Sequence, residues 1–472
     1  MTTLNELLNS KNIESFITNL SAPHLFLHGL MLLFIVYLLS KRPFKPRQND
    51  SLSKSEEEEL IRDWRPIPLA PKLSKMQILN SKEVVITSTT PTHVTVNGHS
   101  NVLNLARTNY LGFIGHPEVQ AKAEETIRKY GVGSCGPRGF YGSIDVHIEL
   151  EKRLGKFMST VPAILYSSGY ATISSTIPSF SKIGDIIIAD RCVSQPIQVG
   201  LSLSRSQVHY FKHNDIKDLT RILELTNKTG EKGKISRKFV VVEGIYYNTG
   251  ELCALPQIMA LKDKYKFRII IDESHSIGIL GKTGRGITEH YNIDAEQVEI
   301  RTASLANAFS SGGGFCVGSD TVVTHQRLNG VGYVFSASLP PYLATSATKA
   351  IDLLDSNPDL LNSLSHNIHY MYKELQDNLR GLKVCGSPLS PVIHLRLKES
   401  TGNREDDEKL LEQLVDKSLD SGVLITRAKY VETEKFIPEP SIRLCINAVL
   451  SEADLDFAIN VLKSVSQSTF KN

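Results

Sequence analysis

Residues 269–286 read IIIDESHSIGILGKTGRG: three isoleucines, an acid, a histidine three positions later, then glycines at 278, 281, 284 and 286. A short β-branched run that stops at an acid fits a strand buried on both faces, with Asp272 at its carboxyl end. The glycines that follow fit a loop that must turn tightly, not a helix interior. Comparable runs precede it at Ala163–Tyr166, Ile186–Ala189 and Phe239–Val242, and the last two end at Asp190 and Glu243. Helical patterns separate these strands, which predicts an α/β fold with a mostly parallel sheet. Polar groups at the carboxyl ends of such strands lie where α/β proteins hold ligands, although each acid taken alone could equally cap the next helix or turn.

Outward from this centre, the segment Val84–Ala106 alternates as strands do, with Asn97-Gly98 as a hairpin turn. Further out, Ser15–Ser40 contains no charged residue, and Leu25–Leu39 (LFLHGLMLLFIVYLL) is almost continuously apolar. The apolar core spans about 22 Å and the uncharged stretch about 39 Å, bracketing a hydrocarbon thickness of about 30 Å. The basic residues Lys41, Arg42, Lys45 and Arg47 follow the run, and no small-residue cleavage site does, so a membrane anchor over about 20–40 is preferred to a signal peptide or a core helix. The positive-inside rule then puts the N-terminus across the membrane and Lys41 onward in the cytosol. Residues 41–72, with basic, acidic and proline-rich parts, read as a linker; 73–355 form a large domain and 356–472 a small C-terminal one.

Composition limits the chemistry. Of 472 residues, 41% are hydrophobic and 22% charged, so a sizeable core is affordable. Fifty-three basic against 50 acidic residues leave a formal charge of +3, which gives no reason to expect nucleic acid as a partner. The six cysteines lie far apart, arguing against a disulfide framework and a zinc ribbon. The fourteen histidines include no H-E-x-x-H, so no metal site is expected. Gly281-Lys282-Thr283 imitates a phosphate loop but has Ser276 where its first glycine belongs.

Four motifs in order carry a family resemblance: Thr108-Asn109-Tyr110-Leu111-Gly112; the glycine-rich stretch Gly131–Phe157; Ser168-Gly169-Tyr170 after a strand; and Asp272-Glu273-Ser274-His275. Together they resemble the α-oxoamine synthases, enzymes dependent on pyridoxal 5'-phosphate (PLP) that join an amino acid to an acyl-CoA thioester with loss of CO2. The resemblance implies a fold-type I PLP-dependent transferase, with Asn109 and Tyr110 beside the substrate. It puts Ser168, Gly169 and Tyr170 at the cofactor phosphate, Asp272 at the pyridine nitrogen and His275 next to it. A carboxylate there keeps the ring protonated, and so able to withdraw electrons.

Two positions depart from that pattern. The resemblance aligns the Schiff-base lysine with Asn307, in TASLANAFSSGGG, and no lysine occurs between Lys282 and Lys349. An amide forms no imine. The ring-stacking histidine aligns with Ser194, in DRCVSQP, and the family's E-G-V-F-S-M-D-G reads Glu243-Gly244-Ile245-Tyr246-Tyr247-Asn248-Thr249-Gly250. The resemblance therefore implies a non-catalytic subunit, paired as a heterodimer with a homologous, lysine-bearing subunit that holds PLP covalently. The implied reaction is condensation of L-serine with palmitoyl-CoA to 3-ketosphinganine at the endoplasmic reticulum membrane, with further small regulatory subunits. In Phe335–Pro341 (FSASLPP), Ser336 and Ser338 either offer hydroxyls to the partner's cofactor phosphate or satisfy local backbone. Arg427 aligns loosely with the arginine that holds the amino-acid carboxylate, without the R-P-P that should follow, and a core-edge arginine is an equal reading. A self-sufficient enzyme using a displaced lysine such as Lys282, and a pure membrane-tethering scaffold, are the other readings.

Overall fold

The computed structural model describes residues 22–41, 52–70, 72–159, 162–228 and 236–470. The chain divides into two units, Met1–Ser74 and Lys75–Asn472. The first contains a helix over Ala22–Ser40, with no acidic residue in its first turn and no basic residue in its last. The expected anchor over about 20–40 falls largely on this helix; its described side chains run unbroken only from Phe26 to Ser40. Among the described residues no helix is long and apolar enough to cross a membrane. A second helix, Lys54–Asp63, starts at a capping box in which Ser53 and Glu56 satisfy each other's backbone N–H groups, so the acidic run is a solvated helix start.

The second unit is built on a seven-stranded sheet. In chain order its strands are β4 (Ala163–Tyr166), β5 (Ile186–Asp190), β6 (Gln207–Phe211), β7 (Lys238–Glu243), β8 (Arg268–Asp272), β9 (Ile300–Ser304) and β10 (Gly314–Gly318). Their spatial order is β4-β10-β9-β8-β7-β5-β6. β10 runs antiparallel to both neighbours, and the rest are parallel. The isoleucine and valine runs of β5, β7 and β8 are buried almost throughout, as strands covered by helices on both faces require. Each expected strand is present, and β5, β7 and β8 extend to Asp190, Glu243 and Asp272. The register pairs Glu243 directly with Asp272, and Asp272 with Thr302, so the polar strand ends form one row.

Two smaller sheets complete the unit. Strands β1 (Ile86–Thr89), β2 (His93–Val96) and β3 (His99–Asn104) form a meander whose turn at Asn97-Gly98 has both residues at positive φ, as the sequence expected. β3 then pairs in parallel with β13 (Val423–Leu424), which ties residues 86–104 to the C-terminal part of the chain. The third sheet has the order β11 (Leu382–Cys385), β12 (Val392–Leu397), β15 (Ser441–Cys445) and β14 (Thr426–Arg427), all antiparallel. Through β15 this sheet brings Arg443 onto the Tyr247 ring, in the loop that leaves β7 of the large sheet.

Candidate functional site

Most of the site residues meet at the row of strand ends. Asp272 is buried, and its two oxygens accept from Ser274 N at 2.8 Å and Thr302 Oγ1 at 3.1 Å. Burial pushes its carboxyl above the ordinary value, against the pull of those donors. Glu243, next to it across the sheet, is pushed up to about 8 by burial and then by the Asp272 charge. Its oxygens accept from the backbone N–H groups of Ser194 and of Tyr247, the latter at 3.1 Å. Two buried acids in register without a facing base favour keeping one proton between them.

The residue aligned with the lysine is engaged on every polar atom of its side chain. Asn307 Oδ1 accepts from Thr108 Oγ1 at 2.9 Å, and its Nδ2 donates to the Ser274 carbonyl at 2.8 Å. Its backbone carbonyl accepts from Tyr110 N at 3.2 Å. Asn307 thus ties the Thr108–Tyr110 segment to the loop after β8. Tyr110 is fully buried, and its hydroxyl lies 2.8 Å from His275 Nδ1. Asn109 is committed elsewhere: its Nδ2 donates to Pro91 O, and its Oδ1 accepts from Ser310 Oγ and Ile114 N. Tyr110 therefore forms a wall of the site, while Asn109 holds the backbone around it.

Beside His275 stands a stack that sequence reading missed. The Tyr247 ring lies flat on the His275 imidazole, with centroids 4.5 Å apart and an interplanar angle of 15°. The Arg443 guanidinium covers the Tyr247 ring at 4.5 Å, and its Nε has no hydrogen-bond partner. Burial, assisted by the Arg443 charge, lowers the His275 value to about 3, so the imidazole is neutral at physiological pH. The only sequence signal was Tyr247 in a motif where the family carries serine.

The end of the site matched to the cofactor phosphate keeps its local form. Ser168 caps the helix Gly169–Phe180, accepting from Ala171 N, and a side chain at Gly169 would collide with Ser304. Tyr170 is largely exposed. Ser336 lies against this end within the same chain, its hydroxyl 3.0 Å from that of Ser167. Ser338 does not offer a free hydroxyl. It is buried, donates to Gly142 O at 2.5 Å and receives Ser134 at its carbonyl, because FSASLPP is laced to the glycine-rich loop.

Arg427 is likewise unavailable to a carboxylate substrate. It is 2% exposed and bound to Glu408 at 2.6 Å and Glu412 at 3.0 Å, with its third nitrogen on Asn80. The glutamates sit one turn apart on the helix Arg404–Asp420 and grip the guanidinium from the inside. Among the described residues, Asp190, Cys192 and His213 bring possible ligand atoms within 4.8 Å of one another. Asp190 already accepts from Cys192 N, Asn214 N and His213, so the cluster reads as a hydrogen-bonded knot closing the end of β5.

These residues do not fit a PLP bound by this chain alone. The position aligned with the lysine is the amide of Asn307, Ser194 presents no flat ring, and the face of His275 is covered by Tyr247. The Asp272 oxygens are satisfied without a pyridinium.

Comparison with known proteins agrees on the scaffold. Residues 100–462 match the family described as "Aminotransferase class I and II". A relative named "Serine palmitoyltransferase 1" from Dictyostelium discoideum is 60% identical over 456 residues, covering 95% of each chain. "Long chain base biosynthesis protein 1" from Arabidopsis thaliana is 42% identical, over 94% of this chain and 91% of its own. Among solved structures, a Sphingomonas wittichii serine palmitoyltransferase superposes with a TM-score of 0.74 at 25% identity, covering 88% of this chain and 96% of that one. An S. paucimobilis enzyme with a bound PLP–myriocin aldimine gives 0.74 at 23% identity with the same coverage, which supports the fold.

Proposed function

From the premise that the chain belongs to the serine palmitoyltransferase 1 family, on the class I and II aminotransferase scaffold, we propose that it is the non-catalytic subunit of a heteromeric serine C-palmitoyltransferase. Its partner is the homologous, lysine-bearing second subunit, which holds PLP covalently. Together they condense L-serine with palmitoyl-CoA to 3-ketosphinganine, the first step of sphingolipid synthesis. The observation that carries the reading is Asn307: where the scaffold calls for an amine, this chain has an amide whose donor and acceptor are both spent on its own backbone and on Thr108.

A shared site is favoured over a pure scaffold by an apolar surface around the phosphate end. Phe140 and Tyr141 of the glycine-rich loop, Tyr170, Leu328, Val331 and Phe335 are all large and exposed. Hydrogen bonds hold their segments side by side: Ser338 to Gly136 and Gly142, Ser336 to Ser167, and Gly332 N to Ser175. Exposed apolar side chains on adjoining segments are what a protein interface is built from. The partner seated on it receives a rigid wall next to its own site, because Arg138 of the loop is gripped bidentately by buried Glu151. Small regulatory subunits bind elsewhere on the assembly.

The anchor belongs to the same proposal. The helix Ala22–Ser40 carries no Asp, Glu, Lys or Arg and is about 28 Å long at 1.5 Å per residue, close to a bilayer's hydrocarbon thickness. Its described apolar side chains from Phe26 to Leu39 are all exposed. We assign it to the endoplasmic reticulum membrane, single-pass, with the N-terminus lumenal and the main domain cytosolic.

The test compares this chain alone, the partner alone and the co-expressed pair, for PLP absorbance and for condensation of serine with palmitoyl-CoA. Activity from the pair only, with no absorbance from this chain alone, is the expected result. Turnover by this chain alone overturns the reading in favour of a displaced lysine. A partner fully active by itself overturns it in favour of a scaffold.

A further inference from the structure

The Tyr247 stack does more than leave the pocket unused. Tyr247 is fixed by its backbone on both sides: its N–H donates to Glu243 Oε2 at 3.1 Å, and its carbonyl accepts from His394 Nε2 at 2.9 Å. With both peptide groups pinned, the ring can leave only by rotation about its own side-chain bonds. Those rotations are opposed by His275, stacked on the ring, and by Arg443 over it. His275 is itself oriented by Tyr110, whose hydroxyl lies at its Nδ1 and whose ring meets it edge-on at 6.1 Å. Four side chains from four segments of the chain thus form one packed block over the loop that follows Asp272.

Such a block is self-consistent in its chemistry. The cation at Arg443 gains an aromatic face, and the neutral imidazole below, held near 3 by burial, offers a flat surface without charge repulsion. A planar aldehyde entering beside His275 would have to displace a ring already packed against both His275 and Arg443.

We propose that Tyr247 is a built-in plug that excludes a pyridoxal-type aldehyde from this chain's pocket, so that restoring an amine at position 307 is not sufficient for the aldehyde to bind there. The proposal rests on the reading that this chain carries a non-catalytic copy of the site. It adds that the site was closed on the His275 side as well as stripped of its amine. The plug keeps cofactor on the partner's lysine and gives the wall of the shared site a fixed shape.

The test uses the assembled heteromer with the partner's Schiff-base lysine replaced by alanine, so that any covalent capture belongs to this chain. The variants are Asn307→Lys with Ser194→His, and the same pair combined with Tyr247→Ser, Tyr247→Ala or Tyr247→Phe. Each is incubated with pyridoxal 5'-phosphate and treated with borohydride. The introduced amine condenses with the aldehyde with loss of water, and borohydride reduces the C=N bond to a stable secondary amine. Mass spectrometry of the peptide containing residue 307 reads the label, and size-exclusion chromatography checks assembly.

The expected result is at least tenfold more label with Tyr247→Ser or Tyr247→Ala than with tyrosine or phenylalanine at 247. Less than a tenfold difference overturns the plug, whether because the tyrosine-bearing chain is already labelled or because the opened one is not. Two small substitutions keep the test alive if one of them fails to assemble. Label on a native lysine of the wild-type chain would instead overturn the reading of Asn307, a distinguishable failure.

Discussion

Asn307→Ala removes the amide that ties Thr108 to the loop after β8. Two side-chain hydrogen bonds go, at 2.9 Å and 2.8 Å, and they leave the Thr108 hydroxyl and the Ser274 carbonyl to find other partners. Each bond contributes about 1 kcal/mol net, and more where the abandoned group is shielded from water, so the loss is about 2–3 kcal/mol. For a unit of about 400 residues, at about 2 cal/mol/K of unfolding entropy per residue, this lowers Tm by about 3 °C. Asn307→Asp is worse than alanine: it still accepts from Thr108 but sets an oxygen against the Ser274 carbonyl at contact distance. Asn307→Gln is milder, since it keeps both functions on a chain one methylene too long. The assay is differential scanning fluorimetry of the purified heteromer at one scan rate, with condensation activity measured in parallel. The reasoning is refuted if alanine leaves Tm within about 0.5 °C of wild type, or if aspartate proves more stable than alanine, because either would mean that the amide is not a clip.

Arg427→Met strands Glu412 in the core, leaves Glu408 with only its Arg404 pair, and should cost about 3–5 kcal/mol while leaving KM for L-serine unchanged once the protein is folded; a raised KM at wild-type stability would restore the substrate role. Glu243 has a folded value of about 8 against a usual 4.5, so it binds its proton more tightly in the folded state. Below pH 4.5 it contributes nothing; as pH rises from there to about 8 the unfolded chain releases the proton first, and stability falls by on the order of a few kcal/mol. Urea midpoints of wild type minus Glu243→Gln should therefore decline across that window, and a flat difference would contradict the assignment. His275 and His394, both held near 3 by burial, act in the opposite sense: stability should fall as pH drops below about 6.5, and replacing both with glutamine should flatten that acid limb of the urea-midpoint profile. Ser338→Ala deletes the 2.5 Å bond to Gly142 and should loosen the glycine-rich loop by about 1 kcal/mol, read as faster proteolysis between 131 and 142 and a weaker heteromer.

What was legible in the sequence is what depends on near neighbours. A strand buried on both faces announces itself as Ile186–Ala189 or Phe239–Val242, because no polar residue is tolerated there, and the acid that ends it marks the sheet edge. The turn at Asn97-Gly98 was legible for the same reason, both residues tolerating positive φ. The pairing of β3 with β13 was not, since two residues of β13 carry no periodicity, and the contact joins positions some 320 apart along the chain. Site residues divide along the same line. Asp272, Glu243 and His275 were readable because strand ends position them. For Ser338 and Arg427 the sequence left two readings open, because residue type reveals the presence of a hydroxyl or a guanidinium, not whether its valences are spent. Arg427 and Arg443 show the point most sharply. Both lie in the C-terminal part of the chain, 16 residues apart and on adjacent strands, and Thr426 lies opposite Arg443 in the ladder. One meets two glutamates from a helix and becomes structural, while the other lies over the Tyr247 ring near Cys445 and keeps a buried Nε without a partner. Alternation along a strand sends neighbouring residues to opposite faces. Which face holds the acids is a property of the packed fold, so residue type alone does not tell which of the two arginines glutamates will tie up.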